Sequence, residues 1–231
     1  MSAGVLAELA RLGGFFDLSR RLEAPVPLRA LIDDRARLAA RVDATARALA
    51  GRAGVAVDGI DRRAAASTLH LGLAARIASP ALAAHVLHDA ALPLSLDALS
   101  ISTVDGTVAW TATDAVPVVD AVPVDGTEVA LAGVVRDVLA PLDAAVAAAV
   151  ALSPKVVRGN TAAAFAGAAS VLAALRPDAA GPARAAVSTL LDGPLAGTGG
   201  YEPPGFRRAS CCLYYRLPAA GLCGDCVLRP R

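Results

Sequence analysis

The chain has 231 residues, a formal charge of +1, and 55% hydrophobic but only 3% aromatic residues. So neutral a chain lacks the basic field that broad nucleic-acid binding needs, and its apolar content excludes wholesale disorder. The most apolar stretch, 129–152, is interrupted by Arg136, Asp137, Pro141 and Asp143, and charges at mid-membrane depth are too costly for a span there.

Residues 1–12 lack a basic leader region and carry Glu8, so no signal peptide is read and a soluble cytoplasmic protein is expected. The 56 alanines and the 21 arginines against a single lysine, Lys155, reflect compositional bias. Arginine abundance therefore carries no functional weight by itself. Small core side chains bury little area per residue, so the helices must pack closely.

Apolar residues at helical spacing over 27–50 (Leu28, Leu31, Ile32, Leu38, Val42, Leu49) predict one helix stopped by Gly51. Leu69, Leu73 and Ile77 predict a second over 61–78. Ser79-Pro80 has the form of an N-cap followed by proline at the first helical position, so a new helix is expected from there to about residue 90, before Pro93. His85 and His88 lie three apart on it without an evident third ligand, and read as core or surface histidines.

The period changes to two over 98–113. Asp105-Gly106 signals a tight hairpin turn, whose two-residue loop pairs Val104 with Thr107, Ile101 with Trp110 and Leu99 with Ala112. Trp110 is thereby expected on the buried face. Residues 116–124 read as an edge or loop segment because of Pro117 and Pro123. Asp125 and Glu128 form a capping box for a helix to about Leu139, and Pro141 restarts it. Ser153-Pro154 opens a helix over 154–175, with Asn160 read as a backbone hydrogen-bonding residue near its start. Pro182 opens another, ending near Gly193-Pro194, and 197–205 reads as a Gly/Pro-rich linker. Gly197-Thr198-Gly199-Gly200 lacks the strand and helix a phosphate loop needs.

These elements predict a mainly α fold with a small β-hairpin/sheet insert (α+β). Residues 1–196 would form a mostly helical scaffold and substrate domain, with the hairpin near 98–113. Residues 197–231, which hold every cysteine of the chain, would form a loop-rich tail.

All four cysteines, Cys211, Cys212, Cys223 and Cys226, fall in the last 21 residues, spaced Cys-Cys-x10-Cys-x2-Cys. In a reducing compartment such a group suggests a metal or redox function rather than disulfides. Four thiolates can complete two tetrahedral irons that share two sulfides, a [2Fe-2S] cluster. Cys223-Gly224-Asp225-Cys226 brings two sulfurs to one side, and Gly224 lets the backbone approach. The vicinal pair needs either a sharp local kink or ligation of different irons. Structural zinc and a dithiol switch at Cys223 and Cys226 are the alternatives, and neither explains the vicinal pair well.

The words CCLYYRLP and CGDC resemble the C-terminal signature of the FhuF-type ferric siderophore reductases. Less sharply, Ser153-Pro154-Lys155, Gly159-Asn160 and the Leu69–Pro80 helix resemble that family's other segments. Val227 stands where a proline often follows the last cysteine. The resemblance implies a cytoplasmic protein whose Cys211, Cys212, Cys223 and Cys226 bind one [2Fe-2S] cluster and which reduces Fe(III) held in hydroxamate siderophores. A substrate role for Asn160 follows from the same analogy alone. No nicotinamide or flavin site is apparent, so electrons are expected from a separate protein such as a ferredoxin or ferredoxin reductase.

Two features near the cysteines fit that role. Arg207, Arg208, Arg216, Arg229 and Arg231 against Asp225 give residues 207–231 a local charge of 5 − 1 = +4. That charge would balance the cluster or dock an acidic donor, with Arg208 and Arg216 as candidate contacts. Tyr201, Phe206, Tyr214 and Tyr215 would anchor the tail, with Tyr215 also a candidate for contact with the siderophore. A cluster-bearing electron carrier without reductase activity and a zinc-stabilised helical binding protein are the competing functional readings.

Overall fold

The computed structural model describes residues 3–19, 22–102, 108–110, 122–123 and 127–230. Their order is α1 (Ala3–Leu12), β1 (Pro25–Pro27), α2 (Leu28–Asp33), α3 (Arg35–Ala53), α4 (Arg62–His88), β2 (Ala90–Ala91), β3 (Leu99–Ser102) and β4 (Val108–Trp110). There follow β5 (Val122–Pro123), α5 (Thr127–Val134), α6 (Ala140–Ala149), α7 (Pro154–Leu175), α8 (Ala180–Asp192), β6 (Gly199–Glu202) and β7 (Gly205–Arg208). The fold is mainly α with small antiparallel sheets, as the periodicity predicts.

The 27-residue α4 is the axis of the molecule. It packs along α7, with α3, α1, α5, α6 and α8 around it. Leu69, Leu73 and Ile77 of α4, Val138 and Leu142, and Phe165 and Leu172 of α7 form the core. Alanines fill many of the remaining buried positions of α4 and α7, which allows the close helix approach that their composition requires.

That enclosure explains why Ser79-Pro80 does not start a new helix. Every residue from Ser79 to His85 is buried, and α4 runs through Pro80 to His88. Packing on all sides outweighs the ~3 kcal/mol penalty of an interior proline. The helix stops where Asp89 adopts a left-handed conformation (φ 48°). The single helix expected over 27–50 is instead α2 and α3. Asp34 leaves helical geometry between them and caps α3 by accepting the Arg37 N–H at 3.0 Å. Gly51 lies inside α3, and the stop is Gly54, left-handed at φ 65°.

The chain also stays helical across Pro141. Val135–Leu139 form a π-turn between α5 and α6, in which the Ala140 N–H reaches the Val135 carbonyl. The proposed capping box at Asp125 and Glu128 falls outside the described side chains. α7 begins as expected, with the Ser153 hydroxyl accepting from the Lys155 N–H. α8 starts two residues before Pro182, after a 3₁₀ turn at Pro177–Ala179.

The larger sheet has strand order β1-β3-β4. Its register is Leu99↔Trp110 and Ile101↔Val108, two residues away from the pairing expected of a two-residue turn. Leu99 and Ile101 are fully buried, and β1 holds the other edge of β3 through Val26↔Ile101. Register is therefore set by the core and a third strand rather than by the turn alone. Because the slip is two residues, the same residues keep the same face. The Asp105-Gly106 turn and the burial of Trp110 lie outside the described residues and side chains. Of the segment expected over 116–124, Val122 and Pro123 are described, paired with β2.

The expected linker at 197–205 is a hairpin. β6 and β7 pair with Tyr201 opposite Phe206, joined through a cis Pro203–Pro204 bond. The two rings meet edge to face at 5.9 Å, and the Arg184 guanidinium of α8 stacks 4.5 Å from the Tyr201 ring, fastening the hairpin to the bundle. Among the described residues no helix is long and apolar enough to cross a membrane.

A buried polar group ties α4, α6 and α7 together. His70 Nε2 lies 2.7 Å from Asp143 Oδ1, which also accepts from the Thr161 hydroxyl at 2.9 Å. All three residues are buried. Asp143→Ala leaves both partners unsatisfied in the core and is expected to lower stability by ~3 kcal/mol. Thr161→Val, which removes one neutral donor, should cost ~1 kcal/mol. Urea unfolding followed by far-UV circular dichroism measures both.

Candidate cluster site

The cysteine segment lies across α4 and α7 and is pinned at each side. After β7 the Ala209 N–H donates to the Thr198 carbonyl (2.9 Å), and the Ser210 hydroxyl to the Lys155 carbonyl in the first turn of α7 (2.7 Å). Gly159 makes that approach possible: a Cβ there would strike the Ser210 hydroxyl. The Cys212 carbonyl accepts from the buried Ser67 hydroxyl of α4 (2.7 Å). Leu213 is left-handed (φ 67°), so the chain turns sharply just after the vicinal pair. Leu217 then enters a second apolar cluster with Ala46, Ala50, Ile60, Ala64 and Ala65. Arg216 pairs with Asp61 at 3.0 Å. Burial alone would raise the Asp61 pKa, but hydrogen bonds from Arg216 and the Ala64 and Arg63 N–H groups hold it below its ordinary value.

The four cysteines are free thiols; Cys212 and Cys226 are buried and Cys211 and Cys223 partly so. The Sγ atoms of Cys212 and Cys223 are 3.4 Å apart. Backbone N–H groups two residues on donate to sulfur in the same way twice, Leu213 to Cys211 (3.3 Å) and Leu228 to Cys226 (3.4 Å). The hydrogen bond from Cys223, the Tyr214 N–H and the charge of Arg208 outweigh burial and hold the Cys212 thiol down, to about 6. Sharing its proton with Cys212, together with burial and the nearby Asp225 charge, pushes the Cys223 thiol up.

Arg208 is the electrostatic centre of the site. Its side chain is 1% exposed. Nε donates to Asp225 Oδ2 at 2.7 Å, Nη2 to Asn160 Oδ1 at 2.8 Å, and the backbone N–H to the Asp225 carbonyl at 3.1 Å. Asn160 in turn donates to the Ser67 carbonyl and hydroxyl, each at 3.0 Å. Nη1 of Arg208 is buried and has no hydrogen-bond partner among the described residues. Arg208, Ser67, Cys212, Cys223 and Gly224 line a cavity of about 310 Å³. A buried arginine sharing a cavity with two thiols, with N–H groups donating to the other two sulfurs, is a donor set suited to an anionic, sulfur-ligated group. Among the described residues no three His, Cys, Asp or Glu side chains gather around one point as a lone metal ion requires.

The remaining candidates separate by burial. Asn160 is completely buried and acts as an internal strut between Ser67 and Arg208. Tyr215 and Arg216 are exposed beside one another. Tyr201 and Phe206 anchor the hairpin as expected of them, whereas Tyr214 and Tyr215 are exposed. The basic group is largely engaged internally: Arg208 with Asp225, Arg216 with Asp61, and Arg207 with the Val227 and Arg229 carbonyls at 2.9 and 2.8 Å. His85 is buried, which lowers its pKa, and His88 lies 3.4 Å from Glu8. Sequence reasoning missed Ser67 and the Arg208–Asp225 pair. Ser67 and Asn160 were detectable only as polar residues interrupting apolar helices.

Replacing Gly159 by Ala should weaken the seating of the segment by ~1–3 kcal/mol through overpacking. The double substitution with Ser210→Ala removes the struck hydroxyl and should recover most of that loss. The rate at which an iron chelator bleaches the visible absorbance of each variant measures it.

Comparison with curated proteins finds no match. Residues 208–228 match the family model of the FhuF 2Fe-2S C-terminal domain, a span that begins at Arg208 and includes all four cysteines. The segment seated on α4 and α7 is thus a FhuF-type C-terminal domain, and a [2Fe-2S] cluster is its cofactor.

Proposed function

We propose that this protein is a cytoplasmic reductase of siderophore-bound Fe(III), of the hydroxamate type, with Cys211, Cys212, Cys223 and Cys226 as the cluster ligands. The observation that carries this reading is a FhuF-type domain with four free cysteines, two of which, Cys212 and Cys223, line one cavity with a buried arginine. When bound, the cluster supplies one electron at a time, drawn from a separate donor protein such as a ferredoxin or ferredoxin reductase.

The rest of the chemistry belongs to the chain and the substrate. Fe(III) in a hydroxamate shell takes up one electron and becomes Fe(II), which the hard oxygen donors hold weakly, so no bond within the siderophore breaks. Arg208 places a positive charge where negative charge accumulates on reduction and so raises the potential. Asp225 and Asn160 fix its orientation. The Leu213 and Leu228 N–H groups act in the same direction by donating to sulfur.

Chemically reduced protein mixed with a ferric hydroxamate and an Fe(II) trap should give prompt trapping. Reoxidation no faster with the chelate than without it would instead favour an electron carrier. Cys223→Ser and Cys226→Ser should each lose most of the visible absorbance while far-UV helicity persists, because the helical body contributes no cysteine. Arg208→Gln should lower the midpoint potential by ~60 mV, a tenfold change in the one-electron equilibrium, and Arg208→Lys by less. A spectroscopic redox titration measures both.

A further inference from the structure

We infer that the ferric chelate sits in the cleft between the β6–β7 hairpin and the outer face of α7, against Gly167. This rests on the reading above and adds the place of the substrate. The cleft measures about 960 Å³, at the upper end of small-molecule sites, which span ~300–1,000 Å³. One wall is Ala163, Ala166, Gly167 and Ser170 of α7; the other is the Pro203–Pro204 turn with Phe206. Cys226 and Arg229 also line it.

Three observations select the occupant. First, Leu71, Gly224 and Asp225 border both this cleft and the smaller cavity containing Cys212 and Cys223. A chelate seated here therefore touches the cysteine-bearing turn directly. Second, the lining carries little net charge: it holds Arg207 and Arg229 with Glu202 and Asp225. Asp225 is paired with Arg208, which leaves an excess of one positive charge, and Arg207 is turned toward backbone carbonyls. Three hydroxamates around Fe(III) give an uncharged complex, which suits such a wall. A tris-catecholate carries three negative charges and would require a cationic cradle. Third, Gly167 is an exposed glycine inside a long helix, where it weakens the helix. Neither a left-handed φ nor a close neighbour requires it, since a Cβ there meets nothing within 4 Å. What its missing side chain preserves is the open space of the cleft.

The test uses the full-length, cluster-loaded protein. Binding of a redox-inert gallium(III) tris-hydroxamate is measured by calorimetry. Reoxidation of the reduced protein by the ferric chelate and by ferricyanide, a small acceptor needing no cleft, is followed in parallel. Gly167→Phe should weaken gallium-chelate binding at least tenfold and raise KM for the ferric chelate similarly. Visible absorbance, far-UV helicity and ferricyanide reoxidation should be unchanged. Ser170→Phe, one turn further along the same wall, provides a second obstruction if the first variant is poorly folded. Binding and KM that match the unaltered protein in both variants overturn the proposal, as does a gallium tris-catecholate binding as tightly as the tris-hydroxamate. Gallium-chelate binding that Gly167→Phe abolishes, in a protein that reduces no ferric chelate, would sustain the cleft and reject the reductase reading.

Discussion

One buried cation joins the helical body to the cysteine tip. Removing a guanidinium from water is costly, and Arg208 is stable where it lies because a carboxylate and an amide oxygen each accept from it at under 3 Å. Both acceptors matter to the architecture: Asp225 stands within the Cys-x2-Cys turn, and Asn160 is on α7. Through Asn160 the same network reaches Ser67, which holds the Cys212 carbonyl. The sulfurs are thus placed by a chain of hydrogen bonds that begins in the deepest helix pair, and Arg208 lines the cavity that also holds Cys212 and Cys223.

This seam also answers a problem posed by the composition. Alanine-rich helices offer shallow ridges, so α4 and α7 have little side-chain relief to fix their axial register. Ser67 with Asn160, and His70 with Asp143 and Thr161 one turn further along, supply polar contacts satisfied in one register only. The residues that orient Arg208 are therefore among those that align the bundle, and the shape of the site is inherited from the core.

The hairpin of β6 and β7 has a related double use. Stacking of Arg184 on Tyr201, whose ring also meets Phe206 edge to face within the hairpin, fastens it to α8, while its Pro203–Pro204 turn and the small residues of α7 line a cleft that Cys226 also borders. A cofactor at a protein's tip can exchange electrons with little intervening material. The body's contribution is the row of small α7 residues that faces the hairpin across that cleft.

Local chemistry alone was enough to identify the helices opened by Ser153-Pro154 and by the apolar period around Leu69, the strand pair around Leu99 and Ile101, and the four-cysteine segment, whose cofactor came from the resemblance of its motif to a known family. Each depends on neighbours a few residues apart: a cap, a repeat, a pair of knuckles. Pro80 inside α4, the split of 27–50 at Asp34, the two-residue shift of the β3–β4 register and the hairpin at 199–208 were not legible in the same way. They are decided by burial on several sides at once, which can override a local stop signal or select among registers that keep the same face. The charge of the tip divides likewise. Its arginines can be counted along the chain, but only folding brings Arg216 to Asp61, 155 positions away, and Arg208 to Asn160, 48 away. An apparent basic patch thereby becomes a set of internal braces, because an ion pair forms where the tertiary structure places its partner.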